Sequence, residues 1–118
     1  MKCLIAGSRT VCDYEVVKTA IEESRFVITE VVSGGARGVD RLGEKWAKEN
    51  GVAVKQFFPD WETHGKKAGF LRNADMIDYV ENGGCVIAIW DGVSRGTQHT
   101  IGLARKYKIP LFVKLVKP

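Results

Sequence analysis

The chain has 118 residues, 45% of them hydrophobic and 27% charged, and its 18 Lys and Arg outweigh 14 Asp and Glu for a formal net charge of +4. That balance excludes a disordered or fibrous chain and predicts one globular domain over residues 1–118, large enough to bury a core. No apolar run approaches the ~18 residues of a membrane span. The stretch from Met1 to Gly7 is too short for a secretory leader, so a cytoplasmic protein with no membrane partner is expected.

Five apolar runs alternate with four helix-like segments. The first strand covers Lys2–Ala6, almost at the initiator methionine. A helix follows over Tyr14–Ser24, with Asp13 placed to cap it and Val16, Val17, Ala20 and Ile21 on one face. The second strand, Thr29–Ser33, leads through a glycine-rich turn into a second helix, Val39–Asn50, which Gly51 closes. Trp46 on that helix is expected to pack against the sheet. After a third strand, Ala53–Phe57, the longer connection Phe58–Gly65 is expected to form a lid or wall at the sheet edge. The third helix covers Lys66–Glu81 and stops at Asn82-Gly83-Gly84. The fourth strand is Cys85–Trp90, the fourth helix Thr97–Tyr107, and Pro110 marks the exit into a last strand, Leu111–Leu115. Such alternation predicts an α/β, Rossmann-like three-layer sandwich: about five parallel strands in order 3-2-1-4-5, with helices on both faces.

In that order the first and fourth strands are neighbours whose following helices leave on opposite sides, and ligands bind in the crevice between them. The loops there are Gly7-Ser8-Arg9 and Asp91-Gly92-Val93-Ser94-Arg95-Gly96-Thr97. Beside them, Ser33-Gly34-Gly35-Ala36-Arg37-Gly38-Val39-Asp40 carries a strand onto a helix N-terminus. Backbone N–H groups there lack intrahelical partners and the helix dipole favours anions, so this loop is the expected phosphate cradle. Arg37 adds a cation, and Asp40 is suited to ribose hydroxyls or to capping the helix. Arg9, Arg37, Arg41, Lys66, Lys67, Arg72 and Arg95 gather at the same edge, with Ser8, Ser33, Ser94 and Thr97. Guanidinium forks, hydroxyls and glycine amides together suit phosphate oxygens.

Other residues are open at this level. Arg72 and Asn73 either face inward, to hold a phosphate or a base edge, or form an ordinary exposed pair. Trp90 is either a stacking platform or core, and Asp75 and Asp78 are assigned to solvent. His99, with no evident partner, is assigned to the helix surface. Cys3 and Cys85 read as small buried thiols, and the three cysteines and two histidines show no metal-ligand spacing. Neither Gly-x-Gly-x-x-Gly nor a Walker A loop occurs, which argues against NAD-dependent redox chemistry and NTP hydrolysis.

Ile5-Ala6-Gly7-Ser8-Arg9, Ser33 to Asp40, Arg72-Asn73 and Ser94-Arg95-Gly96-Thr97 together resemble the SLOG superfamily, the Rossmann-like group of the Smf/DprA proteins and the LOG phosphoribohydrolases. The nearest branch is that of the small stand-alone YspA/YpsA-related proteins of bacteria and phages. The resemblance implies a nucleotide-type ligand and no separate cofactor. Its site would comprise Gly7, Ser8, Arg9, Ser33, Gly34, Gly35, Arg37, Gly38, Asp40, Arg72, Asn73, Asp91, Ser94, Arg95, Gly96 and Thr97. The phosphoribohydrolases carry a glutamate just after their Gly-Thr pair, whereas this chain continues Gln98-His99-Thr100. A carboxylate is needed at an oxocarbenium-like centre. Asp40, Asp60 and Asp91 are the substitutes on offer, and no catalytic residue is assigned.

The leading expectation is a protein that senses or sequesters a nucleotide-derived signal, such as a cyclic nucleotide or an ADP-ribose derivative. The alternatives are hydrolysis of an N-glycoside such as a nucleoside monophosphate and, ranked last for its modest and clustered charge, single-stranded DNA binding. Tyr14, Phe70, Met76 and Tyr79 exceed what one sheet face covers, and a homodimer or higher homo-oligomer is expected from them.

Overall fold

Alternation along the first strand decides the layering. In the computed structural model, which describes residues 1–117, β1 spans Lys2–Gly7. Cys3 and Ile5 join one core and Leu4 and Ala6 the other, all four buried. The chain continues through α1 (Tyr14–Ser24), β2 (Glu30–Ser33), α2 (Val39–Glu49), β3 (Ala53–Gln56), α3 (Trp61–His64), α4 (Ala68–Val80), β4 (Cys85–Trp90), α5 (Arg95–Lys106) and β5 (Leu111–Leu115). Every pairing is parallel and the order is β3-β2-β1-β4-β5, the Rossmann-like arrangement expected from the strand–helix alternation. At the centre, β1 meets β4 in register from Cys3 against Cys85 to Gly7 against Ile89.

Val17, Ala20 and Ile21 of α1 with Val39 and Ala47 of α2 cover the Cys3/Ile5 face, and Trp46 packs on that cluster. Met76, Ile77 and Val80 of α4 with Ala104 of α5 cover the Leu4/Ala6 face. Both central strands are therefore buried on two sides, as their unbroken apolar runs require. β3 is different: all four of its residues are exposed and it pairs only with β2. Lys55 sits within this edge, where a charge discourages pairing with another chain.

The helix ends follow local chemistry. Asp13 accepts the Glu15 N–H at 3.0 Å and caps α1, and the Val52 N–H closes onto Ala47 O at 2.8 Å behind Gly51. The connection after β3 differs from the expected loop, since Asp60 accepts the Thr63 N–H and starts the short helix α3. A 3₁₀ turn, Gly65–Lys67, then delays α4 to Ala68. Of the four residues that suggested a second copy, Met76 is buried, while Tyr14 and Tyr79 bond Glu49 and Glu30 through their hydroxyls. Phe70 alone stays largely exposed. No described helix is long and apolar enough to cross a membrane.

The tightest constraint is at the end of β1. A Cβ on Gly7 would lie 2.4 Å from the Ile89 carbonyl oxygen and 2.6 Å from Val39 Cγ2, and neither atom can swing aside. Gly92 has φ +81° but nothing within 4 Å. Gly7→Ala is expected to cost about 2–3 kcal/mol of stability, and Gly92→Ala about 1 kcal/mol from the left-handed backbone alone. Urea unfolding of both variants measures this; equal losses would show that the close approach at Gly7 is not the constraint.

Candidate functional site

Three loops meet where β1 and β4 end, and Ser8 ties them together. Its N–H donates to Ile89 O at 3.1 Å, and its carbonyl accepts the N–H groups of Val11 and Val39, each at 3.4 Å. Its hydroxyl oxygen accepts the Asp91 N–H at 3.2 Å. Gly38, at φ +82°, presses the start of α2 against this loop; a Cβ there would meet the Ser8 and Arg9 carbonyl oxygens at 2.6 Å.

In the Ser33–Asp40 loop, the expected anion cradle, side chains hold two of the amides. The Gly35 N–H donates to Ser33 Oγ at 3.1 Å, and the Ala36 N–H to Asp40 Oδ2 at 3.2 Å. The first amide of α2 goes to Ser8. Asp40 does not cap α2 either: Gly38 holds that position without a side-chain bond, and Asp40 folds back from the first turn onto the loop. Ser33 lies underneath, donating to Glu44 Oε2 at 2.5 Å. Glu44 in turn accepts from Gln56 Nε2 at 2.8 Å.

Asp40 is 6% exposed. Burial pushes its carboxyl up from the ordinary 3.8 to about 6, with Glu44 adding to the rise. The Ala36 N–H and the nearby Arg72 and Arg9 guanidinium groups oppose it.

Arg72 and Asn73 face inward. Arg72 Nη1 donates to Gly34 O at 2.8 Å and Nε to Asn73 Oδ1 at 3.1 Å. Gly34 fits between two charges, since a Cβ on it would lie 2.6 Å from Arg72 Nη1 and 2.9 Å from Asp40 Oδ2. Asn73 is buried and donates to Gly96 O at 3.4 Å. His99 does have partners: its Nδ1 lies 3.4 Å from Asn73 Nδ2, and its ring meets the Phe70 ring edge-on at 4.7 Å between centroids. Burial lowers its pKa, which favours the neutral imidazole. Asp75 and Asp78 face solvent, as expected.

On the far side, Asp91 Oδ1 accepts the Ser94 and Val93 N–H groups, both at 2.8 Å, and these bonds hold its carboxyl below the usual range. Trp90 is half-buried rather than part of the core, and its indole N–H donates to Ser94 O at 3.0 Å. Ser94 stands at the N-cap of α5, yet its hydroxyl pairs with the Thr97 hydroxyl at 3.2 Å rather than with an amide. The amides of Arg95, Gly96 and Thr97 have no intramolecular partner among the described residues. α5 thus begins with three open amides, whereas at α2 those of Asp40 and Arg41 are the two without an intramolecular partner among the described residues.

These loops enclose a crevice of about 320 Å³. Gly7, Ser8 and Arg9 line it from β1, Asp40 from α2, and Arg72 and Asn73 from α4. Asp91, Ser94, Gly96 and Thr97 line the opposite wall. Gly34, Gly35 and Arg37 line instead an adjoining depression of about 410 Å³, together with Arg41, Phe58, Pro59 and Trp61. Arg9, Ala36 and Arg72 border both. Ser33, Gly38 and Arg95 line neither; the first two hold the loops, and Arg95 is exposed on the first turn of α5. The sequence reading missed Glu44, one turn after Asp40, and Thr100, which lies three residues after Thr97 and in the crevice wall. Helical i, i+3 and i, i+4 spacing is the signal that points to both.

The family described as YAcAr, the YspA, cpYpsA-related SLOG family, matches residues 1–64, which carry the Ser8 loop and the Ser33–Asp40 loop. The Gene 61 protein of Mycobacterium phage D29 is 37% identical over 119 residues, an alignment covering 93% of each chain. No solved structure matches the chain. The chain belongs to the YspA, cpYpsA-related SLOG family.

Asp40 makes a testable contribution to stability. A folded-state pKa of about 6 against 3.8 means that the folded protein holds this proton more tightly. Its contribution is therefore present below pH ~4 and is lost as pH rises to ~6, a change on the order of 2–3 kcal/mol. Asp40→Asn keeps an acceptor for the Ala36 N–H without the buried charge. Relative to the native chain, it is expected to gain stability as pH rises from 4 to 7. Urea unfolding across that range measures the difference, and a flat difference would mean that Asp40 is charged at no cost.

Proposed function

We propose that the crevice binds a nucleotide or a nucleotide-derived ligand, such as a cyclic nucleotide or an ADP-ribose-type signal, and that the protein senses or sequesters it. The observation that carries this reading is the uncapped start of α5. Unpartnered amides and the Ser94 and Thr97 hydroxyls border a crevice that also holds Arg9 and Arg72. Amide dipoles and guanidinium groups acting together suit a phosphate. Asp40, facing the crevice below them, suits ribose hydroxyls.

A second reading, cleavage of an N-glycosidic bond, is favoured by one observation. Asp60 is committed to capping α3, and Asp91 is held ionised by two amides. Asp40 alone of the three combines a place in the crevice with a carboxyl raised to about 6, the range of a general acid.

Adenosine monophosphate is the probe for both readings. Calorimetric titration is expected to give binding that Thr97→Val weakens about tenfold. Arg9→Ala is expected to weaken it by a similar factor, less so at high salt. If neither variant changes the affinity, the phosphate is not at α5. Chromatography of the incubated nucleotide then separates the two readings. Intact nucleotide supports sequestration or sensing, whereas adenine release that Asp40→Asn abolishes supports hydrolysis.

A further inference from the structure

The segment after β3 leaves large aromatic rings in water beside the site. Phe58 is 70% exposed and Trp61 54% exposed, two of several large apolar side chains that lie outside the two cores. Both rings line the depression that adjoins the crevice, with Gly34 and Gly35 in its floor and Arg37 and Arg41 beside them. Asp60 caps the helix that carries Trp61. A flat ring of modest polarity gains from stacking on such a surface, and guanidinium groups add cation–π attraction.

The junction explains what such a ring would be attached to. Arg9 and Arg72 border both the crevice and the aromatic depression, so phosphates at these two cations have open space on either side. Among the described residues, neither guanidinium makes a salt bridge, and Arg72 Nη2 has no hydrogen-bond partner. The crevice ends against Asp91 and the open amides of α5, and Asp40 in its wall suits sugar hydroxyls. The crevice and the aromatic depression are therefore arms joined at a cationic centre, and a smaller depression beside Lys66 and Phe70 opens from the same two arginines.

Building on the crevice reading above, we infer that the ligand is two-headed: two nucleoside units joined by phosphates, with one unit in the crevice and the second base stacked in the Phe58–Trp61 arm. A mononucleotide would occupy the crevice and leave that arm empty.

Three probes isolate the second base: adenosine monophosphate, ADP-ribose, and diadenosine diphosphate, which differs from ADP-ribose by one added adenine. Calorimetric titration of the native chain is expected to give at least tenfold tighter binding of diadenosine diphosphate than of ADP-ribose. In the Phe58→Ala/Trp61→Ala double variant that advantage is expected to fall to within about twofold, with binding of the mononucleotide unchanged. Trp61→Phe, which keeps a ring, is expected to retain most of it. Both aromatic positions are exposed, and matching circular dichroism and unfolding midpoints establish that the variants fold.

If the mononucleotide binds in a Thr97-dependent way but the added adenine brings no gain, the two-armed inference fails and the crevice reading stands. Equal weakening of all three probes by the double variant has the same meaning. If no probe binds, both readings fall. Tighter binding of an oligothymidylate than of diadenosine diphosphate, with a steep salt dependence, would make the aromatic arm part of a single-strand track and overturn the inference.

Discussion

The molecule depends on one backbone junction, at which Ser8 leaves β1 and binds β4, α2 and the Asp91 loop together. Its amide, carbonyl and hydroxyl are all engaged, so the two central strands, one helix start and one long loop are positioned by a single residue. Gly7 and Gly38 admit this convergence because neither brings a Cβ into it. The β1, α2 and Asp91 sides of the crevice are set from this point, while α4 brings Arg72 and Asn73 to the remaining side. The walls are rigid because their polar groups are spent on one another, and what faces the crevice is the small remainder that no internal partner takes. Among the described residues, no buried side-chain nitrogen or oxygen lacks a partner.

That accounting separates two glycine-rich helix starts that look alike. At α2, Ser33, Asp40 and Ser8 take the amides of Gly35, Ala36 and Val39, and the loop carries a carboxylate of its own. At α5, the residue at the cap turns its hydroxyl to Thr97 and the amides stay free. The two crevice carboxylates diverge for the same reason. Asp91 has two amide donors and stays ionised, while Asp40 has one donor, deep burial and Glu44 nearby.

The fold was legible because the central strands β1 and β4 are apolar runs of the length a doubly covered parallel strand needs, and the long helices carry matching apolar stripes. The sheet order followed from the handedness of the crossovers and the need to cover both faces. The short helix α3 escaped because four residues give periodicity nothing to register, although Asp60 ahead of Thr63 was a visible cap. In the site, the membership of Gly7, Arg9, Arg72 and Thr97 at one edge followed from topology. Which amides were open did not. That depended on where Asp40 and Ser94 turn their side chains, a matter of rotamers and of partners distant in sequence, such as Arg72 against Gly34. Phe58 and Trp61 were legible as part of a wall at the sheet edge, whereas their exposure beside Arg37 and Arg41 was not.

The buried carboxyl of Asp40 couples this site to protons as well as to ligands. Arg72 and Arg9 both draw its pKa down, and a phosphate that neutralises them removes that restraint while adding negative charge of its own. On the proposed binding, an anion settling at the two arginines would carry a proton onto Asp40. Uptake of the two would then be a single equilibrium, and the hold on the anion would strengthen as the surroundings acidify toward pH 6.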